Sequence, residues 1–381
     1  MSNIKVSYWC PFISKVATIK AVTNSVLGLQ NYSKNTIKPE IINVFGEWDE
    51  FKEEFEEKNI VLTNKLINIS FIKFNHTSFF VSRIKYILIF IFGFIPLISY
   101  LKKNKPNFLI IHLVTSLPLF IFTFFNFNTK LILRISGFPK LNYHRKMLWK
   151  LSSRNIYKIT CPTIETHKTL NKFPYLKNKI TILRDPIISV KDILNKRREK
   201  LKINLPKKKF ILTIGRLTNQ KNYIFLIESF SQIKNNSLDL IILGSGEDKE
   251  KLLKKINELK LVNRIHLIDY TNNVFNLIKE CEFFVLTSLW EDPGFVLIEA
   301  AFMNKIILSS NCPSGPKEIL CNGKNGFLFE SDDYEDFKIN YNNVINADEN
   351  ELKIKVINAK KFTKNFTIFR HYINLVKILK I

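Results

Sequence analysis

Short apolar runs that recur between helix-patterned stretches constrain this chain more than any other feature. Ile4 to Trp9 is followed by a periodic segment around Thr18 to Leu29, then by Glu40 to Val44. Phe108 to His112, Leu131 to Ile135, Ile156 to Thr160 and Lys179 to Leu183 repeat the pattern, each ended by a polar or Pro/Gly break. A strand covered by crossover helices on both faces reads as a continuous apolar run, because neither side of its pleat meets water. Alternation of such runs with helices predicts parallel sheets and the α/β class. The 381 residues suffice for two domains, and an apolar content of 46% excludes a disordered chain.

The formal charge of +25 admits three kinds of partner: nucleic acid, an anionic membrane surface, or anionic small substrates. Lysine dominates over arginine and no basic run is interleaved with aromatics, so no nucleic-acid partner is expected. The heavy use of Lys, Asn, Ile and Phe is also what an AT-rich genome produces. Cys10, Cys161, Cys281, Cys312 and Cys321 are scattered, without C-x-x-C pairs or histidines at metal spacing, and read as reduced thiols of a cytosolic protein. The chain enters its first strand-like run at once, so no cleaved signal peptide is expected.

The apolar pattern stops near Asp185-Pro186, and Lys191 to Lys209 is dense in charge. The expected organisation is therefore a first domain over 1–186, a linker over 187–207, a second domain over 208–360 and a terminal helix over 361–381.

Chemistry concentrates in the second half. Phe210 to Ile214 runs into Gly215-Arg216-Leu217-Thr218-Asn219-Gln220-Lys221. A Gly turn, a fork-shaped guanidinium and an ammonium five residues later at a helix start suit a diphosphate. Leu238 to Leu243 ends in Gly244-Ser245-Gly246, and Ile265 to Ile268 in Asp269-Tyr270. Phe283 to Leu286 leads to Ser288-Leu-Trp-Glu-Asp-Pro-Gly-Phe-Val-Leu-Ile-Glu-Ala-Ala301, which places Glu291 in a loop at the carboxyl end of a strand and Glu299 inside the following helix. Ligands bind at that edge of α/β sheets, where loops converge and helix N-termini present free N–H groups. Ser314-Gly315-Pro316 repeats a turn-to-helix start suited to phosphate.

Glu291 and Glu299, with Gly294-Phe295 between them, resemble the signature of retaining GT-B glycosyltransferases of the family-4 (group 1) type. Gly215-Arg216 and Lys221-Asn222 resemble that family's diphosphate site. The family's usual Glu-Gly-Phe-Gly is replaced by Glu291-Asp292-Pro293-Gly294. The resemblance is strong over about residues 208 to 330. It implies two Rossmann-like domains facing a cleft and a C-terminal helix that packs back on the first domain. It implies transfer of a hexose or N-acetylhexosamine from a nucleotide diphosphate sugar, UDP-linked, with anomeric retention. Arg216, Lys221 and Glu291 would be catalytic, and Gly215, Gly244, Tyr270, Pro293, Gly294, Phe295 and Glu299 would complete the donor site. No metal or other cofactor is implied, because the two cations and helix N-termini neutralise the leaving diphosphate. Ser314-Gly315-Pro316 resembles bacterial members that extend lipid-linked oligosaccharides, so the acceptor would be a polyprenyl-diphosphate glycan used for cell-surface polysaccharide. Members commonly have a histidine before Gly137; this chain has Ser136 there and Arg134 two residues earlier. Arg134, Ser136 and Lys15 are weaker candidates for acceptor or phosphate contact. A nucleotide-sugar epimerase of the same fold and a membrane-associated binding protein with a degenerate site are the alternatives.

Tyr86 to Leu101 stands apart: sixteen residues without a charge, flanked by Arg83 and Lys85 and by Lys102, Lys103 and Lys105. A membrane span needs about twenty apolar residues, and this run also holds Gly93 and Pro96. A helix lying on its domain with its outer face in the lipid interface is preferred over a buried or spanning one, with Phe92 and Phe94 as the contact residues. The expected location is peripheral, on the inner face of the cell membrane.

Overall fold

The computed structural model describes residues 4–13, 17–67, 79–135, 142–201, 203, 205–233 and 237–380, with the backbone alone for 79–82. The chain divides into two units: Met1–Pro186 together with Ile368–Ile381, and Ile187–Thr367.

The first unit is built on seven parallel strands: β1 (Ile4–Trp9), β2 (Ile37–Ile42), β3 (Val61–Leu62), β4 (Phe108–Ile111), β5 (Lys130–Arg134), β6 (Ile156–Cys161) and β7 (Ile180–Ile182). Their spatial order is β3-β2-β1-β4-β5-β6-β7. The order reverses between β1 and β4, the switch point at which two loops diverge and leave a crevice at the carboxyl edge. Alternate residues feed opposite cores, as the pleat requires. Trp9, Leu109, Ile111, Leu131 and Leu133 join one cluster, while Tyr8, Phe108, Ile110 and Ile132 join the other. The first cluster is covered by the helices Phe79–Asn104, Ser116–Phe124 and Tyr143–Ser152, through buried residues such as Leu97, Leu117 and Trp149. The second is covered by Ala17–Tyr32 and by Ile368–Leu379, through Val22, Val26, Leu375 and Leu379.

The second unit has six parallel strands: β8 (Lys209–Ile214), β9 (Leu238–Leu243), β10 (Ile265–Ile268), β11 (Phe283–Leu286), β12 (Ile306–Ser310) and β13 (Phe327–Phe329). They lie in the order β10-β9-β8-β11-β12-β13, so its switch point falls between β8 and β11. The two sequence stretches richest in site chemistry follow those two strands.

The expected linker over 187–207 is not a free connector. Ile187, Ile188 and Ile193 are buried in the second unit's core, with the helix Val190–Lys196 between the charges. Asn273 Nδ2 donates to the Lys196 carbonyl at 2.7 Å, and Ile188 N to Phe366 O at 2.9 Å. Ile187 and Ile188 dock the stretch before the helix and Ile193 docks the helix itself, so the charges between them stay at the surface. At the other end, the helix Glu349–Thr363 stays in the second unit, and the return to the first begins at Ile368.

Candidate active site

The loops after β8 and β11 are stitched together at the switch point of the second unit. Leu289 N donates to Gln220 O at 2.8 Å, Gln220 Nε2 to Trp290 O at 2.8 Å, and Thr287 Oγ1 to Lys221 O at 3.0 Å. These bonds bring Lys221 Nζ onto Glu291 Oε1 as an ion pair, although the residues are 70 apart in sequence. The two side chains are 12% and 8% exposed, so the pair is largely withdrawn from water. Ser288 Oγ donates to the same carboxylate oxygen at 2.7 Å. Sequence reasoning did not single out Ser288 or Gln220; both lie inside the motif segments, and only the fold gives them a partner.

Glu291 is also fixed through its backbone. Its N–H donates to Pro313 O, and its carbonyl accepts from Ser314 N, both at 2.7 Å. The Ser314 N–H is therefore committed to the Glu291 carbonyl. Gly294 sits at φ 94°, in the left-handed region, and turns the chain into the helix Phe295–Phe302. Phe295 opens that helix, Glu299 is buried in its second turn, and Pro293 is buried in the preceding loop. The helix points its N-terminal N–H groups toward the carboxyl edge, where a negative ligand is favoured.

Gly215 and Gly244 hold the β8 and β9 loops in contact: Gly215 N donates to Leu243 O at 3.0 Å, and a Cβ on Gly244 would lie 1.8 Å from Gly215 O. No other residue type fits there. The next loop joins the same edge, since Gly244 N donates to Ile268 O and Tyr270 N to Ser245 Oγ. Tyr270 is 59% exposed. Arg216 is exposed, and among the described residues no carboxylate is paired with it. Arg216 is thus presented to solvent, whereas Lys221 is held by a carboxylate. Cys312 lies beside this pair; burial first, then the Glu291 charge, pushes its thiol up to about 12, so it stays protonated.

In the first unit, Lys15 and Ser136 lie outside the described residues. Arg134 is 2% exposed and paired with Asp185, Nε to Oδ1 at 3.1 Å, so its charge is answered inside the first unit. A charge at a strand end reads the same in sequence whether it faces solvent or an aspartate 51 residues on. His112 is buried beside it, and burial, with the Arg134 and His371 charges, holds its ring well below the ordinary histidine range. His371, on the returning helix, bonds through Nε2 to Ser25 Oγ at 2.8 Å and through Nδ1 to Arg184 O at 2.7 Å. Ser25 Oγ is in turn 2.8 Å from Tyr8 Oη.

The chain is similar to known proteins in sequence and in fold. Residues 195–362 match the family described as glycosyl transferases group 1. The chain is 35% identical over 246 residues to an uncharacterized glycosyltransferase of Methanocaldococcus jannaschii, covering 59% of this chain and 60% of that one. It is 36% identical over 126 residues to a Campylobacter jejuni N-acetylgalactosamine-N,N'-diacetylbacillosaminyl-diphospho-undecaprenol 4-alpha-N-acetylgalactosaminyltransferase, covering 33% of this chain and 34% of that one. The chain thus spans three fifths of the first relative's length and a third of the second's. The structure of Anabaena HepE in complex with UDP and glucose superposes with a TM-score of 0.74 at 15% identity, over 99% of both chains. At that identity the likeness establishes the fold, GT-B, with its two parallel-sheet α/β units and helical C-terminal region. The segment that matches this family, less than half of the chain, lies within the unit that holds Arg216, Lys221, Glu291 and Glu299.

Proposed function

We propose that the protein is a retaining glycosyltransferase that moves a hexose or N-acetylhexosamine from a UDP-sugar to a polyprenyl-diphosphate-linked glycan during cell-surface polysaccharide synthesis. The observation that carries the reading is the Lys221–Glu291 pair at the β8/β11 switch point, with exposed Arg216 on the same loop. In this reading Arg216 binds the diphosphate through its planar fork, and Lys221 leaves Glu291 for the phosphate as negative charge builds on the leaving group. Glu291, released from Lys221 but still held by Ser288, accepts hydroxyl hydrogen bonds from the transferred sugar. Glu299 accepts from the ribose hydroxyls, and Tyr270 marks the loop beside the base. The two cations and the helix N-terminus supply the neutralisation, so no metal is required. The undecaprenol-linked substrate in the Campylobacter relative's name supports the acceptor class, and the UDP and glucose in the Anabaena complex support the donor class. A lipid-linked acceptor places the enzyme peripherally on the inner face of the cell membrane.

The test is a panel of UDP-, GDP- and ADP-sugars with purified protein, with and without polyprenyl-diphosphate glycans, followed by NMR of the product anomer. Transfer with retained configuration is expected from a UDP-sugar. An inverted product overturns the retaining assignment. Sugar interconversion without transfer identifies an epimerase, and binding without turnover identifies a degenerate site.

A further inference from the structure

The long helix Phe79–Asn104 is long and apolar enough by composition to cross a membrane, but its inner face belongs to the first unit. Ile89, Leu97, Tyr100 and Leu101 are buried in that unit's core, and Tyr100 Oη bonds to Glu40 and to Ser7 Oγ. Its outer face carries exposed apolar side chains. Ile84, Ile87, Ile91 and Ile95 recur at helical spacing along one stripe and are 57%, 58%, 58% and 72% exposed. The stripe is continued by its neighbours. Phe94 packs its ring on Phe120 and Phe125 of the adjoining segment, whose Phe124 is 65% exposed. The next helix, Tyr143–Ser152, packs on that segment through the Thr123–Ser152 hydrogen bond of 2.8 Å. It presents Tyr143, Met147 and Leu151, all more than half exposed, at i, i+4 and i+8.

The same elements are one-sidedly charged. Between Glu57 and Glu165 the chain carries 16 Lys and Arg residues and no Asp or Glu. Arg145, Lys146 and Lys150 sit exposed on the third helix, and Lys102 and Lys103 at the end of the first. A water-facing surface of a cytosolic enzyme normally mixes both signs, and isolated exposed apolar residues need no explanation. An apolar stripe inside a region without a single acidic residue has charge complementarity to one kind of partner, a surface that is greasy within and anionic at its rim.

We infer that the outer faces of Phe79–Asn104, Ser116–Phe124 and Tyr143–Ser152 form one docking surface for an anionic lipid bilayer. The isoleucine stripe enters the headgroup boundary, and the third helix reads the negative headgroups. Both the first and third helices begin at the carboxyl edge of the first sheet, because each follows a strand of a parallel sheet. Docking therefore holds that edge near the lipid, where a lipid-linked acceptor would be presented. The inference deepens the proposed acceptor class and rests on it for its biological meaning.

Sedimentation with vesicles tests it without donor or acceptor, so its failure leaves the transfer reaction untouched. Wild-type protein should pellet with vesicles rich in phosphatidylglycerol, only weakly with phosphatidylcholine alone, and be partly released by salt. Ile91→Glu/Ile95→Glu should lose at least about tenfold in affinity at every salt concentration. Lys146→Glu/Lys150→Glu should lose about as much on anionic vesicles and also lose the salt dependence. Circular dichroism and the thermal unfolding transition confirm that each variant is folded. Wild-type protein that stays in the supernatant at low salt, or variants that bind as wild type does, would overturn the inference. So would a wild-type dimer in solution that the isoleucine variant makes monomeric, since the face would then be a protein interface.

Discussion

The returning helix Ile368–Leu379 should open as pH falls, and His371 sets how far. Its ring is fully inside the first unit, and burial lowers its pKa from 6.5 to about 4, partly offset by the bond to Arg184 O and the Asp185 charge. The folded pKa lies below the unfolded one, so the neutral ring's contribution is complete above pH 6.5 and is lost as pH drops toward 4. Between about pH 7.5 and about pH 5 the unfolded ring gains roughly 2 kcal/mol from protonation while the buried ring gains almost nothing. That difference corresponds to about a thirtyfold rise in the population of any state that exposes His371. Hydrogen exchange with mass spectrometry, corrected for intrinsic exchange, should show protection of this helix falling about thirtyfold over that interval. His371→Asn keeps a donor for Arg184 O and removes the titration, so its protection should depend on pH far less. Equal pH dependence in wild type and variant would show that His371 is not the titrating group, and a gain of protection in acid would refute the sign.

Other outcomes follow from the site and the docking face. Arg216→Ala and Lys221→Ala should each weaken calorimetric binding of UDP by at least about tenfold, since a charge-assisted contact is worth about 1.5–3 kcal/mol; unchanged binding in both variants would sink the donor-site assignment. Lys221→Ala should also destabilise the second unit by about 3 kcal/mol, because it strands a buried carboxylate, and Lys221→Ala/Glu291→Gln should recover most of that loss in a urea titration. Transfer activity should survive EDTA; complete loss, restored by magnesium or manganese, would show that a metal and not Arg216 and Lys221 neutralises the diphosphate. Phe94→Asp should unfold the first unit, since Phe94 packs on Phe120 and Phe125, whereas Ile95→Asp should leave its circular dichroism unchanged.

The alternation of apolar runs with helical periods determined the parallel-sheet class, and it located the strands that carry the site. The Ile4–Trp9, Leu238–Leu243, Ile265–Ile268 and Phe283–Leu286 strands stand where the runs stand, because a strand buried on both faces has no other way to be written. The cations and carboxylates of the second unit were legible too, since a turn, a helix start and their side chains are specified within a few residues of one another. What local spacing cannot encode is which distant group a side chain meets. Lys221 and Glu291 became a pair only because strand order puts β8 beside β11, and that order is set by crossover packing. The same limit hid Asp185 from Arg134, made a solvated connector out of a segment docked by three isoleucines, and could not tell exposed Phe92 from Phe94, which packs on Phe120 and Phe125. Burial is a property of the partner surface as much as of the residue, and the partner surface exists only once the chain has folded.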